Sequence, residues 1–109
     1  SQRPEGHHYE ILLRMRDKQG NIVFPGTFLP AAERHNLTAQ IDRWVVENYF
    51  SWLSNNPQHE AELTRVSINL SGHSLADKEL KLFVLNAFVK HIILYEKVCF
   101  EITACIAIL

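Results

Sequence analysis

Long hydrophobic runs, cysteine and an excess of charge of one sign are all scarce in this sequence. Eleven basic and 12 acidic residues give a net charge of −1 at pH 7, so no strong positive field attracts a nucleic acid polymer or an anionic membrane. No apolar stretch approaches the roughly 18 residues of a membrane-spanning helix, and the first residues lack a signal peptide's apolar core. We therefore expect no nucleic acid partner, no membrane segment in this chain and a cytoplasmic location.

The two cysteines, Cys99 and Cys105, lie in a strand-like region. An extended segment holds positions six apart too far from each other for a disulfide. We therefore interpret both as reduced, small apolar residues of a cytosolic protein. The 109 residues, 47% hydrophobic and 21% charged, suffice for one small globular domain.

Alternation of apolar and polar side chains predicts three strands, near residues 8–15, 65–70 and 97–103. Helical periodicity predicts the main helices near residues 38–55 and 76–91. Strands joined by such long helical crossovers are expected to be parallel, with right-handed connections. The predicted fold class is α/β, with three to four parallel strands and flanking helices.

The polar faces of these strands hold the candidate site. On the first strand, Glu10, Leu12 and Arg14 share one face. If the three strands lie parallel in one sheet, Glu10, Asn69 and Glu101 converge on one side. Carboxylate and carboxamide oxygens suit Mg²⁺ or Mn²⁺ rather than Zn²⁺, and a cation would relieve the repulsion between two carboxylates. The alternative, an edge strand whose polar face is exposed to solvent and has no functional role, stays open.

The connection after the first strand is predicted to contain an ordered loop at residues 25–30. Pro30 suits the first turn of a short helix, for which Asn36 is the expected stop. Phe28 in this loop either covers a ligand or fills the core, and the sequence favours the core.

Capping residues set the expected helix starts. Thr38 is predicted to cap the helix at 38–55, and Ser74 or Asp77 the helix at 76–91. Spacings of three and four predict which side chains of the first of these helices face the core. That stripe consists of Ile41, Trp44, Val45, Asn48, Tyr49 and Trp52.

Five motifs follow one another along the chain. They are residues 9–14 (YEILLR), 25–33 (PGTFLPAAE), 41–45 (IDRWV), 67–71 (SINLS) and 100–103 (FEIT). In this order and spacing they resemble the EAL domain family, the cyclic di-GMP phosphodiesterase module of bacterial signalling. Each motif alone is weak, but the five together are specific, and they span nearly the whole chain.

The resemblance implies a modified (β/α)₈ barrel of the TIM type, with the site at the carboxyl ends of its strands. It also implies that Mg²⁺ or Mn²⁺ activates the water that hydrolyses cyclic di-GMP to linear pGpG. A guanidinium at Arg14 would suit the substrate phosphate, which it can grip with two parallel hydrogen bonds. Carried over by motif, the metal ligands would be Glu10, Asn69 and Glu101. The candidate substrate-binding residues are Arg14, Leu12 and Phe28.

A complete barrel of this type needs about 250 residues, so we interpret residues 1–109 as a partial EAL domain, the N-terminal half only. The family's first strand would precede it, and further metal ligands and a lysine near the attacking water would follow it. Where the family usually has a second glutamate, after residues 101–103, this chain has Ala104. Either that glutamate is substituted or a short deletion has shifted the tail.

Three functions are compatible with these features. In the first, the chain is a fragment of an active phosphodiesterase, and the fragment itself is expected to be inactive and to bind metal weakly or not at all. Alternatively, it belongs to a degenerate, non-catalytic EAL domain that acts as a cyclic di-GMP receptor or a protein-interaction module. A half-barrel would also self-associate through its open sheet edges and the apolar tail at residues 106–109.

Overall fold

The computed structural model describes residues 6–72 and 76–103, so Ser74, Ala104, Cys105 and the tail at residues 106–109 lie outside the described residues. The strands are β1 (His7–Ile11), β2 (Met15–Arg16), β3 (Ile22–Val23), β4 (Leu63–Ser71) and β5 (Val98–Thr103). The helices are α1 (Pro25–Arg34), α2 (Thr38–Ser54), α3 (Pro57–Glu62) and α4 (Lys78–His91), with a 3₁₀ turn at Tyr95–Lys97. The predicted α/β class is confirmed.

Strands β1, β4 and β5 form one parallel sheet with β4 in the middle. The chain passes from β1 to β4 through helices α1 to α3, and from β4 to β5 through α4, as expected for parallel strands. The register places Glu10 opposite Ser67, and Asn69 opposite Glu101. The carboxyl ends of the three strands therefore lie at the same end of the sheet.

The hydrophobic core lies between one face of this sheet and helices α2 and α4. Phe50 of α2 and Phe88 of α4 meet edge to face, with ring centroids 4.9 Å apart, a favourable aromatic geometry. In the described ranges, 6–72 and 76–103, no helix has both the length and the apolar character needed to cross a membrane. The largest fully buried side chains are Phe50, Leu53, Ile68, Leu80, Val46 and Val66.

The buried face of α2 differs from the predicted stripe. Trp44 and Trp52 were expected in the core, but 60% and 46% of their surfaces are exposed. The prediction gave weight to large aromatic residues, whereas positions 38, 42, 46, 50 and 53 follow helical spacing equally well. Thr38 is not the cap, because Leu37 occupies that position and the helix start has no side-chain cap hydrogen bond. The buried residues of α2 are Thr38, Asp42, Val45, Val46, Phe50 and Leu53.

The first predicted strand is two elements rather than one. Strand β1 ends at Ile11, and residues 15–16 pair instead with β3 in an antiparallel hairpin. In the turn between β2 and β3, the Asp17 carboxylate accepts hydrogen bonds from the backbone N–H groups of Gln19 and Asn21, each at 2.9 Å. Gly20 supplies the left-handed backbone, φ 86°, that the turn requires. Glu10, Leu12 and Arg14 were expected to share one strand face, but Leu12 and Arg14 lie beyond the end of β1 and only Glu10 belongs to the strand.

Helix α1 is longer than the sequence predicted. It starts at Pro25, so the loop expected at residues 25–30 is helical and Pro30 lies inside the helix. A proline at the first position is well tolerated, and Pro30 removes only the hydrogen bond to the Gly26 carbonyl. The helix ends at Arg34, and Asn36 is the stop residue as predicted, with φ 56° there and Leu37 N donating to the Ala32 carbonyl at 2.8 Å.

Asp77 caps helix α4, as predicted, by accepting a hydrogen bond from Leu80 N at 3.0 Å. Spacings of three and four predict that the core face of α4 consists of Leu80, Phe83, Val84, Ala87, Phe88 and His91, and four of these six are buried. The segment before β4 forms the short helix α3. The buried side chains of α4 are Leu80, Val84, Ala87 and Phe88.

Candidate functional site

The structure brings Glu10 and Asn69 together at the carboxyl ends of adjacent parallel strands. The Asn69 side-chain N–H donates to Glu10 Oε2 at 2.6 Å, and Glu101 of β5 lies in register with Asn69 on its other side. Val66, Ile68 and Leu70 of β4 are buried against the helices, so Asn69 points to the opposite face. The predicted convergence of the three side chains away from the helices is therefore confirmed by burial and register.

The donor set of this face fits a hard divalent cation. Two carboxylates flank one carboxamide across the strand order β1-β4-β5, and all can offer oxygen. Rotating the Asn69 amide by half a turn would present its oxygen in place of the nitrogen that now contacts Glu10. Over residues 6–72 and 76–103, no group of three or more His, Cys, Asp or Glu side chains is arranged to hold a metal. A site here therefore depends on the amide.

Asp42 supports the end of strand β4 and was missed by the sequence analysis. Only 6% of its surface is exposed, and its Oδ2 accepts a hydrogen bond from Ser71 N at 3.0 Å. Ser71 follows Asn69 by two residues on the same face of β4. Asp42 therefore anchors the part of the backbone that aims Asn69. An acid at helical spacing from Thr38, Val45 and Val46 is the sequence signal that could have identified it.

Arg14 follows the carboxyl end of β1, in the segment between the two sheets. Its guanidinium carbon lies 5.0 Å from the centroid of the Phe24 ring, and Nη1 donates to the Leu13 carbonyl at 2.7 Å. Leu12, two residues earlier, is exposed. Arg14 and Leu12, two of the three candidate substrate-binding residues, therefore lie just beyond the carboxyl end of β1.

Phe28 lies on helix α1 and not at the end of a strand. It is buried on helix α1 together with Ala32, and this helix contacts α2. Burial favours the core alternative for Phe28, and its contact with a substrate stays a prediction.

A second polar cluster fastens β1 to the helices on the core side of the sheet. The Tyr9 hydroxyl lies 2.5 Å from the Tyr49 hydroxyl and 2.6 Å from His59 Nε2. Burial, followed by the hydrogen bond with Tyr9, raises the pKa of Tyr49 above its ordinary value. The phenol of Tyr49 therefore stays protonated and holds β1 against α2.

Comparison with known proteins connects this arrangement to one family. The family model described as "EAL domain" matches residues 1–107. The chain is 39% identical over 99 residues to "Cyclic di-GMP phosphodiesterase PdeB" of Shewanella oneidensis, covering 91% of this chain and 11% of that protein. It is 32% identical over 100 residues to "Cyclic di-GMP phosphodiesterase PdeF" of Escherichia coli, covering 88% of this chain and 13% of that protein.

A solved structure supports the same relationship. The crystal structure of the FimX EAL domain from Pseudomonas aeruginosa bound to c-di-GMP superposes with a TM-score of 0.79 at 32% identity. The alignment covers 91% of this chain and 38% of that domain, so the chain spans a minor part of each of these relatives. The family model, the sequence relatives and the fold agree: the chain belongs to the EAL domain family.

Proposed function

We propose that this chain supplies part of the active site of a metal-dependent phosphodiesterase that hydrolyses cyclic di-GMP to linear pGpG in bacterial second-messenger signalling. One observation carries the proposal. In a chain of the EAL family, Glu10 and Asn69 are in contact and Glu101 is in register beside Asn69, all at the carboxyl ends of parallel strands. The names of the curated relatives support the same reaction.

In the proposed site, Glu10, Asn69 and Glu101 hold Mg²⁺ or Mn²⁺. When bound, the metal supplies Lewis-acid activation of water and neutralises charge on the phosphate. Both carboxylates lie on the solvent-facing side of the sheet, so they can exchange water for a cation without opening the core. Asn69, fixed between them on the central strand, sets their spacing.

Arg14 and Leu12 are the proposed substrate contacts. A guanidinium keeps its charge at any pH at which the protein is folded and can donate two parallel hydrogen bonds to a phosphate. The exposed Leu12 offers an apolar surface beside it. Together they would bind the dinucleotide next to the acidic residues that hold the metal.

We also infer a cytoplasmic setting for the domain. The Cys99 thiol is free, which is compatible with a reducing compartment. The relatives named above come from bacteria, which supports the bacterial signalling role.

A complete EAL barrel containing these residues tests the proposal. Glu10→Gln keeps the size of the side chain and removes its charge. We expect it to lower pGpG formation by roughly 100-fold or more, because metal-assisted hydrolysis draws several kcal/mol of transition-state stabilisation from the ion. Glu62→Gln is the matched control, since Glu62 lies at the other end of the sheet beside His7. Full turnover by the Glu10 variant would contradict the proposal.

The same assay distinguishes the receptor alternative. The solved FimX domain is described as bound to c-di-GMP, so binding alone does not establish catalysis. A complete barrel that binds cyclic di-GMP with Mg²⁺ present and forms no pGpG would favour a non-catalytic receptor and contradict the enzymatic proposal.

A further inference from the structure

The β2–β3 hairpin fixes which residue lies across from Arg14. Its register pairs Met15 with Val23 and Arg16 with Ile22, so the next pair outward is Arg14 and Phe24. The turn that closes the hairpin is tightly bonded, with Gly20 N donating to the Asp17 carbonyl at 3.0 Å. The chain therefore places Phe24 beside Arg14 through local geometry.

The Phe24 ring contacts the guanidinium rather than the core. The Arg14 guanidinium carbon lies 5.0 Å from the ring centroid, within the roughly 6 Å over which a cation is attracted to an aromatic face. Phe24 is 57% exposed, so burial does not explain an aromatic side chain here.

Phe24 also occupies a position where a phenylalanine stabilises the helix poorly. It precedes the first residue of α1 and makes no side-chain cap hydrogen bond, whereas Ser, Thr, Asp and Asn are strongly preferred at this position. The ring therefore stands where a capping side chain would serve the helix better, and its contact is with Arg14.

We propose that Phe24 is a positioning residue for Arg14: its ring and the Leu13 carbonyl together hold the guanidinium so that its remaining N–H groups are directed to a phosphate of the cyclic dinucleotide. This inference rests on the proposed function. Stacking uses the flat face of the guanidinium and leaves its N–H edges for hydrogen bonds. Holding the group in advance reduces the rotamer freedom that phosphate binding would otherwise remove.

The stacking itself is tested by NMR on the protein without ligand. In the unsubstituted protein, the ring current should shift the Arg14 side-chain resonances, and Phe24→Leu should abolish this shift while Phe24→Tyr retains it. Phe83→Leu is the matched control, because it removes the ring of the other arginine–phenylalanine pair, Arg43 over Phe83 at 5.4 Å. Arg14 resonances that do not differ between the unsubstituted protein and Phe24→Leu would overturn the proposal.

The positioning role is tested by making the same variants in a complete EAL barrel and titrating them with cyclic di-GMP. Phe24→Leu should weaken binding about threefold, as expected for an exposed cation–π contact, and Phe24→Tyr should restore it. In the Arg14→Ala background, Phe24→Leu should have no further effect. Unchanged affinity in Phe24→Leu, or the same threefold loss without Arg14, would overturn the proposal.

Failure of the proposed function would look different. If Arg14→Ala binds cyclic di-GMP as tightly as the unsubstituted barrel, the phosphate role of Arg14 is wrong. If the unsubstituted barrel does not bind cyclic di-GMP, the proposed function is wrong. In either case the positioning proposal falls with it. The ring-current comparison would still report whether Phe24 stacks on Arg14, so the two failures are separable.

Discussion

At the scale of single residues, the site depends on a buried acid of helix α2. Asp42 joins helix α2 to the backbone of Ser71 through a 3.0 Å hydrogen bond, at the end of the strand that carries Asn69. A buried carboxylate is costly unless it is hydrogen-bonded. Its contact with β4 therefore couples the packing of α2 to the geometry of the site.

We predict that Asp42→Ala lowers the free energy of unfolding by about 1–3 kcal/mol, because a buried donor loses its acceptor. Asp42→Asn keeps an acceptor oxygen and should cost less. Urea unfolding measures both, and amide hydrogen exchange at Ser71 should accelerate in the alanine variant. An alanine variant as stable as the parent, with Ser71 still protected, would show that Asp42 does not anchor the strand.

The sequence identified Glu10, Asn69 and Glu101 because the two-residue period of a strand fixes which side chains share a face. It could not provide the contact between Glu10 and Asn69, since register is a non-local property of the paired strands. Asp42 was missed because Trp44 and Trp52 drew the predicted stripe of α2 toward the wrong side of the helix. For Phe24, only Met15 of the hairpin fell within the predicted strand at residues 8–15, and the pairing of residues 15–16 with 22–23 that brings Phe24 to Arg14 was not predicted.

At the scale of elements, the residue that follows helix α4 has an unfavourable backbone conformation for its type. Ile92 has φ 57°, and Ile93 N donates to the Phe88 carbonyl at 3.0 Å, which is the hydrogen bond of a helix end that normally uses glycine. A β-branched residue is strained in this left-handed conformation. Ile92 is also 82% exposed, so its side chain gains little from packing.

We predict that Ile92→Gly raises the free energy of unfolding by about 1 kcal/mol through relief of this strain. Ile92→Ala is the matched control, since it removes the exposed side chain and retains the Cβ that causes the strain. Thermal or urea unfolding compares the three proteins. Equal stability of the glycine and alanine variants would mean that the strain at this position is negligible.

Ion pairs also connect helices α2 and α4. Glu47 Oε2 lies 3.1 Å from Lys90 Nζ and 3.0 Å from His91 Nε2. Burial raises the pKa of Glu47, but the hydrogen bonds from Lys90 and His91 outweigh it and hold this pKa below its ordinary value. A lowered pKa in the folded state stabilises the protein above the ordinary glutamate pKa, and this contribution is lost as the pH falls through the lowered value.

We therefore predict that Glu47→Gln destabilises the protein at pH 7 by roughly 0.5 kcal/mol, the usual scale for a partly exposed ion pair. The difference from the parent should shrink as the pH falls below the ordinary glutamate pKa. Urea unfolding of both proteins across this range is the measurement. A difference that is constant with pH would exclude the ion pair as its cause.

The sequence predicted correctly those elements whose formation depends on local periodicity, and it failed for those that depend on contacts with distant parts of the chain. Strands β4 and β5 and helices α2 and α4 are long and periodic, and their existence was predicted correctly. The break between β1 and β2 was not predicted, because it is set by partners that lie in two different sheets. The first part of α1, residues 25–30, was predicted as a loop because of its two prolines, although only Pro30 removes a hydrogen bond from the helix interior.

At the scale of the whole molecule, the sheet has two open edges. In the described part of the chain, β1 and β5 each pair only with β4, and exposed edges of this kind promote association. Beside β5 lies an apolar groove of about 580 Å³. Its lining includes Leu85, Phe88, Tyr95, Phe100 and Ile102.

We predict that the 109-residue chain self-associates through this groove and the adjacent edge. Light scattering at tens of micromolar should give a mass above the 12.6 kDa monomer. Leu85→Lys should lower the mass, because it places a charge in the groove, and Met15→Lys should not, because the exposed Met15 lies in the other sheet. A mass of one monomer that does not change on dilution would rule out association.

The central claim is that Glu10, Asn69 and Glu101 form one cation site. Three ligands leave much of the coordination shell of a divalent ion to water, so we expect weak binding by this chain alone. A micromolar Mg²⁺ affinity measured by calorimetry would contradict this expectation.

The most direct measurement is NMR line broadening by Mn²⁺, a paramagnetic ion of the same ligand preference. We predict broadening centred on the Asn69 side-chain amide and the backbone of Glu10 and Glu101, lost in Glu10→Gln. Broadening centred elsewhere, or unchanged in that variant, would contradict a shared site.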